Sequence, residues 1–492
     1  MAYGSQGNDG DNRIRLSRPV SGGRRSRRRR GTDPHKQGLV KRMVIRWCNR
    51  LLAAVQERSL SEQEAEFAEH RTTRDYICNM VGTVAWGAAF PVLTIVATQL
   101  TGVEQAGMFS LAFITAQLLM FAANYGVRTF QVSDIDEDHT FLDYQINRWL
   151  TCIVVMFAGV LYAMLRGYEG AMFTISMGVY VYKVVDGLAD VYEGRLQQMD
   201  KFYLAGVSQA FRSVLVLVVF SVLLFVTRSL PVACIAMAVA AVASLLVLTL
   251  PLAVFETPKS HSWKVASVIE LLRQCWPLAV ALFMFNLIES MPKFVMEGTL
   301  PYDSQLYFNA LYFPAQFIVL GVGAIYKPLL VRMATIWADP EKRRRFDLII
   351  LMIVGVTVGV TAAAAAFMGW LGIPLMSFMY GVDFEQFRGL ALIMVCAGGV
   401  TATIDFLYQV ITVLRMQHAV MRLYLITAAF SVFVPFLLVT FTGLPGAVIG
   451  YLIVMCILLV LLVGEYAQIR RTFAEDDERR ARRRAERPRH MR

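Results

Sequence analysis

Residues 444–464 read LPGAVIGYLIVMCILLVLLVG, twenty-one positions without a charged side chain. As a helix rising about 1.5 Å per residue, the run spans about 30 Å, the hydrocarbon thickness of a bilayer. It is continuous rather than alternating, which excludes a barrel strand. Windows of about 19 residues mark twelve such stretches along the chain. They cover 76–100, 106–127, 145–165, 171–192, 203–227, 231–254, 275–295, 305–326, 347–369, 387–412, 420–441 and 444–467. The composition agrees. Of 492 residues, 56% are hydrophobic and 17% charged, where a soluble domain carries about a quarter charged. A soluble enzyme and a disordered chain are both excluded as whole-chain readings. The expected fold is an all-α polytopic membrane protein with twelve transmembrane helices.

The charge is concentrated outside the spans. The segments 1–75 and 468–492 hold 27 of the 48 basic residues, leaving 21 basic and 23 acidic residues between them. The net charge of +11 therefore belongs to the tails and is no nucleic-acid surface. With both tails cytoplasmic, the inner loops hold 14 Lys and Arg and the outer loops and span ends four. That satisfies the positive-inside rule. The expected location is a cell membrane, multi-pass, with both termini cytoplasmic.

Outer loops are short, and the largest soluble pieces are the tails. Residues 1–38 are rich in Gly, Ser and Arg and are expected to be disordered. Over 39–58, Val40, Met43, Val44, Trp47, Leu51 and Val55 recur at helical spacing with Lys41, Arg42, Arg46 and Arg50 on another face. That pattern suits an amphipathic helix on anionic lipid, or a soluble tail helix that only sets topology. The seven cysteines form no CxxC or Cys/His spacing, so neither a disulfide framework nor a metal site is expected. No P-loop or catalytic motif occurs, and no cofactor is expected beyond a coupling proton or sodium ion.

Two spans resemble each other. Met108-Phe-Ser-Leu-Ala-Phe-Ile-Thr-Ala-Gln117 and Tyr307-Phe-Asn-Ala-Leu-Tyr-Phe-Pro-Ala-Gln316 match at Phe109/Phe308 and Gln117/Gln316. These are spans two and eight, which run in the same direction. A parallel pseudo-repeat of two six-helix bundles gives this relation. The chain then divides into a basic tail (1–38), an amphipathic juxtamembrane segment (39–75), an N-terminal bundle (76–254), a cytoplasmic linker (255–274), a C-terminal bundle (275–467) and a second basic tail (468–492).

Charges inside spans cost a few kcal/mol (roughly 2.5–3.5 on insertion scales) unless they face a cavity or a partner. Lys183, Asp186, Asp190 and Glu193 are spaced three, four and three apart and share one face of span four. They form either an internal ion-pair ladder or a cavity wall. Lys183 lies near mid-bilayer and Glu193 at the cytoplasmic exit. Arg212 in span five is about 15 Å deep, with Asp186 or Asp190 as its structural partner, or an anionic substrate. Arg148 opens span three and either snorkels to the interface or joins the cavity. In span seven, Glu289, Lys293 and Glu297 are four apart, and Pro292 between them is expected to break the helix. Asp405 lies in the inner half of span ten, with Arg415 as its structural partner.

Several short marks carry a family resemblance. They are Asn79, Gly107-x-Phe109-x-x-Ala112, Gly126-Val127-Arg128, Pro277, Tyr380-Gly381-x-Asp383-Phe384 and Gly443-x-x-Gly446-Ala447-x-x-Gly450. Over 76–467 the chain resembles the multidrug/oligosaccharidyl-lipid/polysaccharide flippase superfamily, and within it the polysaccharide transporter branch of O-antigen flippases. The resemblance implies two bundles around a central cavity that opens alternately inward and outward, without ATP. It implies a lipid-linked oligosaccharide as substrate and partner, an undecaprenyl diphosphate flipped for cell-surface polysaccharide or lipopolysaccharide synthesis. On that reading Arg148, Lys183, Arg212 and Lys293 bind the diphosphate, and Asp186, Asp190, Glu289 and Asp405 bind the coupling ion. The alternative is an ion-coupled multidrug antiporter of the same superfamily. A membrane-embedded polymerase or ligase fits less well, because its catalytic residues need a sizeable outer loop. Basic tails that recruit polysaccharide-assembly enzymes, or that bind anionic lipids, are compatible with either transporter.

Overall fold

The computed structural model describes residues 71–134, 137–258, 264–330, 343–414 and 416–486, with Met333, Ile336 and Trp337 between the third and fourth segments. The expectations for 1–38 and for the amphipathic helix over 39–58 lie outside the described residues, as does Arg415. Among the described residues, eleven helices are long and apolar enough to cross a membrane. The twelfth is Gly170–Gln198, twenty-nine residues long, which the charges of its one polar face set apart from the others.

Numbered in chain order, the spanning helices are α1 (Arg71–Thr101), α2 (Val103–Asn124), α3 (Phe141–Leu165), α4 (Gly170–Gln198), α5 (Phe202–Thr227), α6 (Leu230–Glu256), α7 (Val265–Met296), α8 (Tyr302–Tyr326), α9 (Arg345–Tyr380), α10 (Arg388–Val413), α11 (Gln417–Thr442) and α12 (Leu444–Glu486). A short helix, Val127–Ser133, follows α2. The first helix starts and the last helix ends on the same side, called here the tail end.

Packing repeats between the two halves. In the first, α1 packs on α5, α5 on α6, α2 on α4, α4 on α6, and α3 on α4. In the second, α7 packs on α11, α11 on α12, α8 on α10, α10 on α12, and α9 on α10. Each pair is the image of its partner six helices on. The two helices that resemble each other in sequence, α2 and α8, pack together and join the halves. Close approach is set by small residues, as expected where lipid offers no hydrophobic drive for helix association. Gly82 and Gly206 face each other across α1 and α5, where a Cβ on Gly206 would stand 2.4 Å from the Cys78 carbonyl oxygen.

Prolines shape the helices in two ways. In α6 a π turn covers Leu245–Thr249 and Pro251 follows; in α9 a π turn covers Met368–Gly372 and Pro374 follows. A proline lacks the donor the ladder needs, and the preceding turn widens by one residue. Pro292 behaves otherwise. The expected break in α7 is absent, and the helix runs unbroken from Val265 to Met296 through both Pro277 and Pro292. Pro292 lies one turn from the helix end, where only one internal bond is lost. Its buried neighbours Ile288, Lys293 and Met296 hold the chain helical. Pro91 and Pro314 likewise sit inside continuous helices.

Candidate functional site

The charged face of α4 is turned inward against α1, α2, α3 and α5. Lys183 Nζ lies 3.1 Å from Asp186 Oδ2, and Arg212 Nε lies 2.7 Å from Asp186 Oδ1. Arg212 Nη1 continues to Glu193 Oε1 at 2.9 Å. Trp86 Nε1 of α1 donates to Asp186 Oδ2 at 3.1 Å, and Ser208 Oγ donates to Glu193 Oε1 at 3.0 Å. Ser208 in turn meets Thr249, carried by the π turn of α6. This ladder joins four helices and balances two cations with two carboxylates. Its four charged side chains are at most 4% exposed. The Lys183 ammonium also lies against the rings of Trp86, Phe113 and Tyr182, 4.7 to 4.8 Å from their centroids.

A second cluster lies nearer the tail end. Asp190 accepts from Arg128 Nη1 at 2.6 Å and from Arg148 Nη2 at 2.8 Å. Arg148 is fully buried and donates also to Ala123 O and Asn124 Oδ1. It does not snorkel, because both its terminal nitrogens find acceptors inside the bundle. Arg128 reaches Gln197 Oε1 as well and is about a third exposed. This cluster holds two guanidinium groups for one carboxylate. Arg128 was legible only as part of the Gly126-Val127-Arg128 mark, without a partner.

The second half has a different character. Glu289 on α7 accepts from Tyr451 of α12 at 3.4 Å, and Tyr451 also meets Thr401 of α10. Asp405 accepts from Tyr326 of α8 at 2.5 Å. Lys293, one turn from Glu289, is buried with its ammonium 4.0 Å above the Tyr312 ring. Among the described residues no carboxylate lies within ion-pair reach of it. Three rings run beside the two carboxylates. Phe285, one turn before Glu289, meets Tyr424 at 5.5 Å between centroids, and Tyr424 stacks on Tyr408 at 6.1 Å. Tyr408 is three residues from Asp405, on the same face of α10. Phe285, Glu289, Asp405 and Tyr408 are each partly exposed.

A cavity of about 220 Å³ opens between the halves at the tail end. Thr129, Phe130 and Ser133 of the short helix face Pro277, Ala281 and Tyr408 across it. Tyr408 therefore belongs both to this cavity and to the aromatic row. Of the residues expected at the site, the structure joins Lys183, Asp186 and Arg212 in one ladder and Arg148 with Asp190 in a second cluster. Glu289, Lys293 and Asp405 stand apart in the other half. The aromatic residues were not legible as a site, since Phe and Tyr recur throughout apolar helices and only packing selects those that converge.

No protein-family model and no curated protein matches the sequence. Solved structures do match in shape. One is the inward-facing conformation of a multidrug resistance MATE family transporter of the MOP superfamily. The TM-score is 0.61 at 12% identity, over 80% of this chain and 99% of that one. The fold is that of the MOP superfamily transporters. An outward-facing conformation of a MATE transporter gives 0.52 at 12% identity, over 81% and 95%. A MOP superfamily transporter from Pyrococcus furiosus, described as having a binding pocket of reverse polarity, gives 0.56 at 13%, over 81% and 95%. The all-helical, two-bundle, multi-pass architecture expected from the sequence is thus the observed one. The polysaccharide branch is not singled out by these likenesses.

Proposed function

We propose that this chain is an ion-coupled antiporter that moves organic cations across the membrane by alternating access. The observation that carries the reading is the pair Glu289 and Asp405 beside the Phe285–Tyr424–Tyr408 row, whose last ring, Tyr408, lines the cavity between the halves. Aromatic faces attract cations, by about 0.5–2 kcal/mol each depending on desolvation. A carboxylate in apolar surroundings adds net charge, and it can hold either a coupling proton or sodium ion or the cationic substrate. Competition for that one charge is antiport. Lys183 and Arg212, by contrast, already have carboxylate partners and present no spare charge to a diphosphate. On this reading Asp186 and Asp190 are fixed anions of the ladders. The likeness to multidrug transporters supports the same choice. Both tails are then cytoplasmic, in a bacterial plasma membrane, with anionic lipids as their partners.

One observation favours the lipid-linked oligosaccharide flippase as a second reading. Lys293 makes no close ion pair, with Glu289 one turn away, and Arg128 with Arg148 outnumber Asp190. A diphosphate could be held there. The two readings separate by binding. Purified protein is titrated with a fluorescent aromatic cation and, separately, with undecaprenyl diphosphate. Saturable cation binding that is lost in Glu289→Gln and Asp405→Asn supports the antiporter. Binding of the diphosphate alone, lost in Lys293→Met, would replace it with the flippase.

A further inference from the structure

At the end opposite the tails, one carboxylate draws together side chains from the two halves. Glu297 follows α7 in the second half and is 5% exposed. Three side chains of the first half converge on it. Arg166 Nε donates to Oε1 at 2.7 Å, Tyr168 OH donates to Oε1 at 2.6 Å, and Tyr162 OH donates to Oε2. Arg166 Nη2 also reaches the Glu297 carbonyl at 2.9 Å. Both carboxylate oxygens are thereby satisfied entirely from the other half. Burial and the Glu297 carboxylate hold the Tyr168 phenol above its usual value, so it remains a donor at any assay pH.

Two further contacts close the same end. Gln99 of α1 donates to the Met379 carbonyl of α9 at 2.9 Å. Gly107 of α2 packs against the backbone of Tyr302 in α8, where a Cβ would stand 2.0 Å from the carbonyl oxygen. In the alternating-access reading, each of these contacts must break for this end to open.

We infer that Glu297 is a gate latch, which holds the end opposite the tails shut through Tyr162, Arg166 and Tyr168. Three hydrogen bonds to the carboxylate and one from the guanidinium to the carbonyl all involve a charged group, and each is worth about twice a neutral one. Opening exposes the carboxylate and the Arg166 guanidinium to water, which recovers part of their solvation. The latch is therefore firm yet reversible, whereas an apolar seal of similar area would have no such exchange. Gly107 acts alongside it through shape alone, without charge.

This inference rests on the alternating-access reading, and its test reads the gate without reading transport. All seven cysteines are replaced in the full chain, and spin labels are placed at Glu169 and Gln386, one on each half at this end. Distance distributions are measured in lipid nanodiscs without substrate. The parent should show one short-distance population. Glu297→Gln and Tyr168→Phe should each add a longer-distance population, with the closed-to-open ratio falling at least tenfold for Glu297→Gln. Gly107→Leu should open the same end with the latch intact. Glu385→Gln, at the surface pair with Arg388, is the control and should change nothing. An unchanged distribution in both Glu297→Gln and Glu297→Ala, while Gly107→Leu opens, would overturn the latch. If Glu297→Gln opens the gate but no cation is carried by the parent protein, the latch stands and the antiporter reading falls.

Discussion

Replacing Arg212 by methionine tests whether the charges of the first half hold the fold or await a ligand. Arg212 is 2% exposed and bridges Asp186 at 2.7 Å and Glu193 at 2.9 Å. After Arg212→Met, Asp186 keeps Lys183 and the Trp86 donor. Glu193 keeps only the Ser208 hydroxyl. The penalty therefore falls on Glu193, now a buried carboxylate without a direct ion pair and with only Arg128 to balance it at longer range. Removing one partner of a buried pair costs about 3–5 kcal/mol, and the remaining hydroxyl places the expected loss near the lower end, at about 3 kcal/mol. Adding Glu193→Gln restores a neutral ladder, so the double variant should regain most of that loss. The cycle of two single variants and the double isolates the pair. The assay is unfolding in mixed micelles, followed by tryptophan fluorescence. A midpoint unchanged in Arg212→Met, or a double variant no better than the single, would refute the staple. Loss of substrate binding with stability intact would instead make Arg212 a ligand.

Other expectations follow from particular contacts. Gly206→Ala places a methyl group against the Cys78 carbonyl and should cost about 1–3 kcal/mol by overpacking, measured in the same unfolding assay. Phe285→Ala and Tyr408→Leu should each weaken binding of an aromatic cation by about five- to thirty-fold, since a desolvated cation–ring contact is worth about 1–2 kcal/mol; isothermal titration checks this. Thr140→Ala removes one half of a capping box with Asp143 at the start of α3 and should cost about 1 kcal/mol. Asp143→Ala should cost more, because Asp143 also accepts from Ser267 and the Lys264 amide at the start of α7.

How far the sequence reaches depends on what each feature requires. Span positions need only contrast between apolar runs and charged ends, and even α4 was visible through its charged face because the face is narrow. The repeat was visible in ten residues of α2 and α8, which proved to be the pair that joins the halves. Ion pairs were visible in part. Asp186 as a partner for Arg212 follows from adjacency of spans, but Glu193 read as an exit residue, because helix ends are assigned from hydropathy and α4 continues to Gln198. The break at Pro292 was overstated, since local propensity yields to packing near a helix end. The latch at Glu297 was not visible at all. Glu297 read as one member of an i,i+4 series with Lys293, while its donors come from Tyr162, Arg166 and Tyr168, more than 125 positions earlier.

The most direct test of the account is transport itself. Proteoliposomes holding the full chain receive an imposed proton or sodium gradient, and efflux of a fluorescent aromatic cation is followed in time. The account predicts gradient-driven efflux by the unmodified protein, abolished in Glu289→Gln and reduced at least tenfold in Asp405→Asn, with both variants stably folded. Efflux that is indifferent to Glu289 and Asp405, or no efflux of any cation while an undecaprenyl-diphosphate oligosaccharide is flipped, would contradict it.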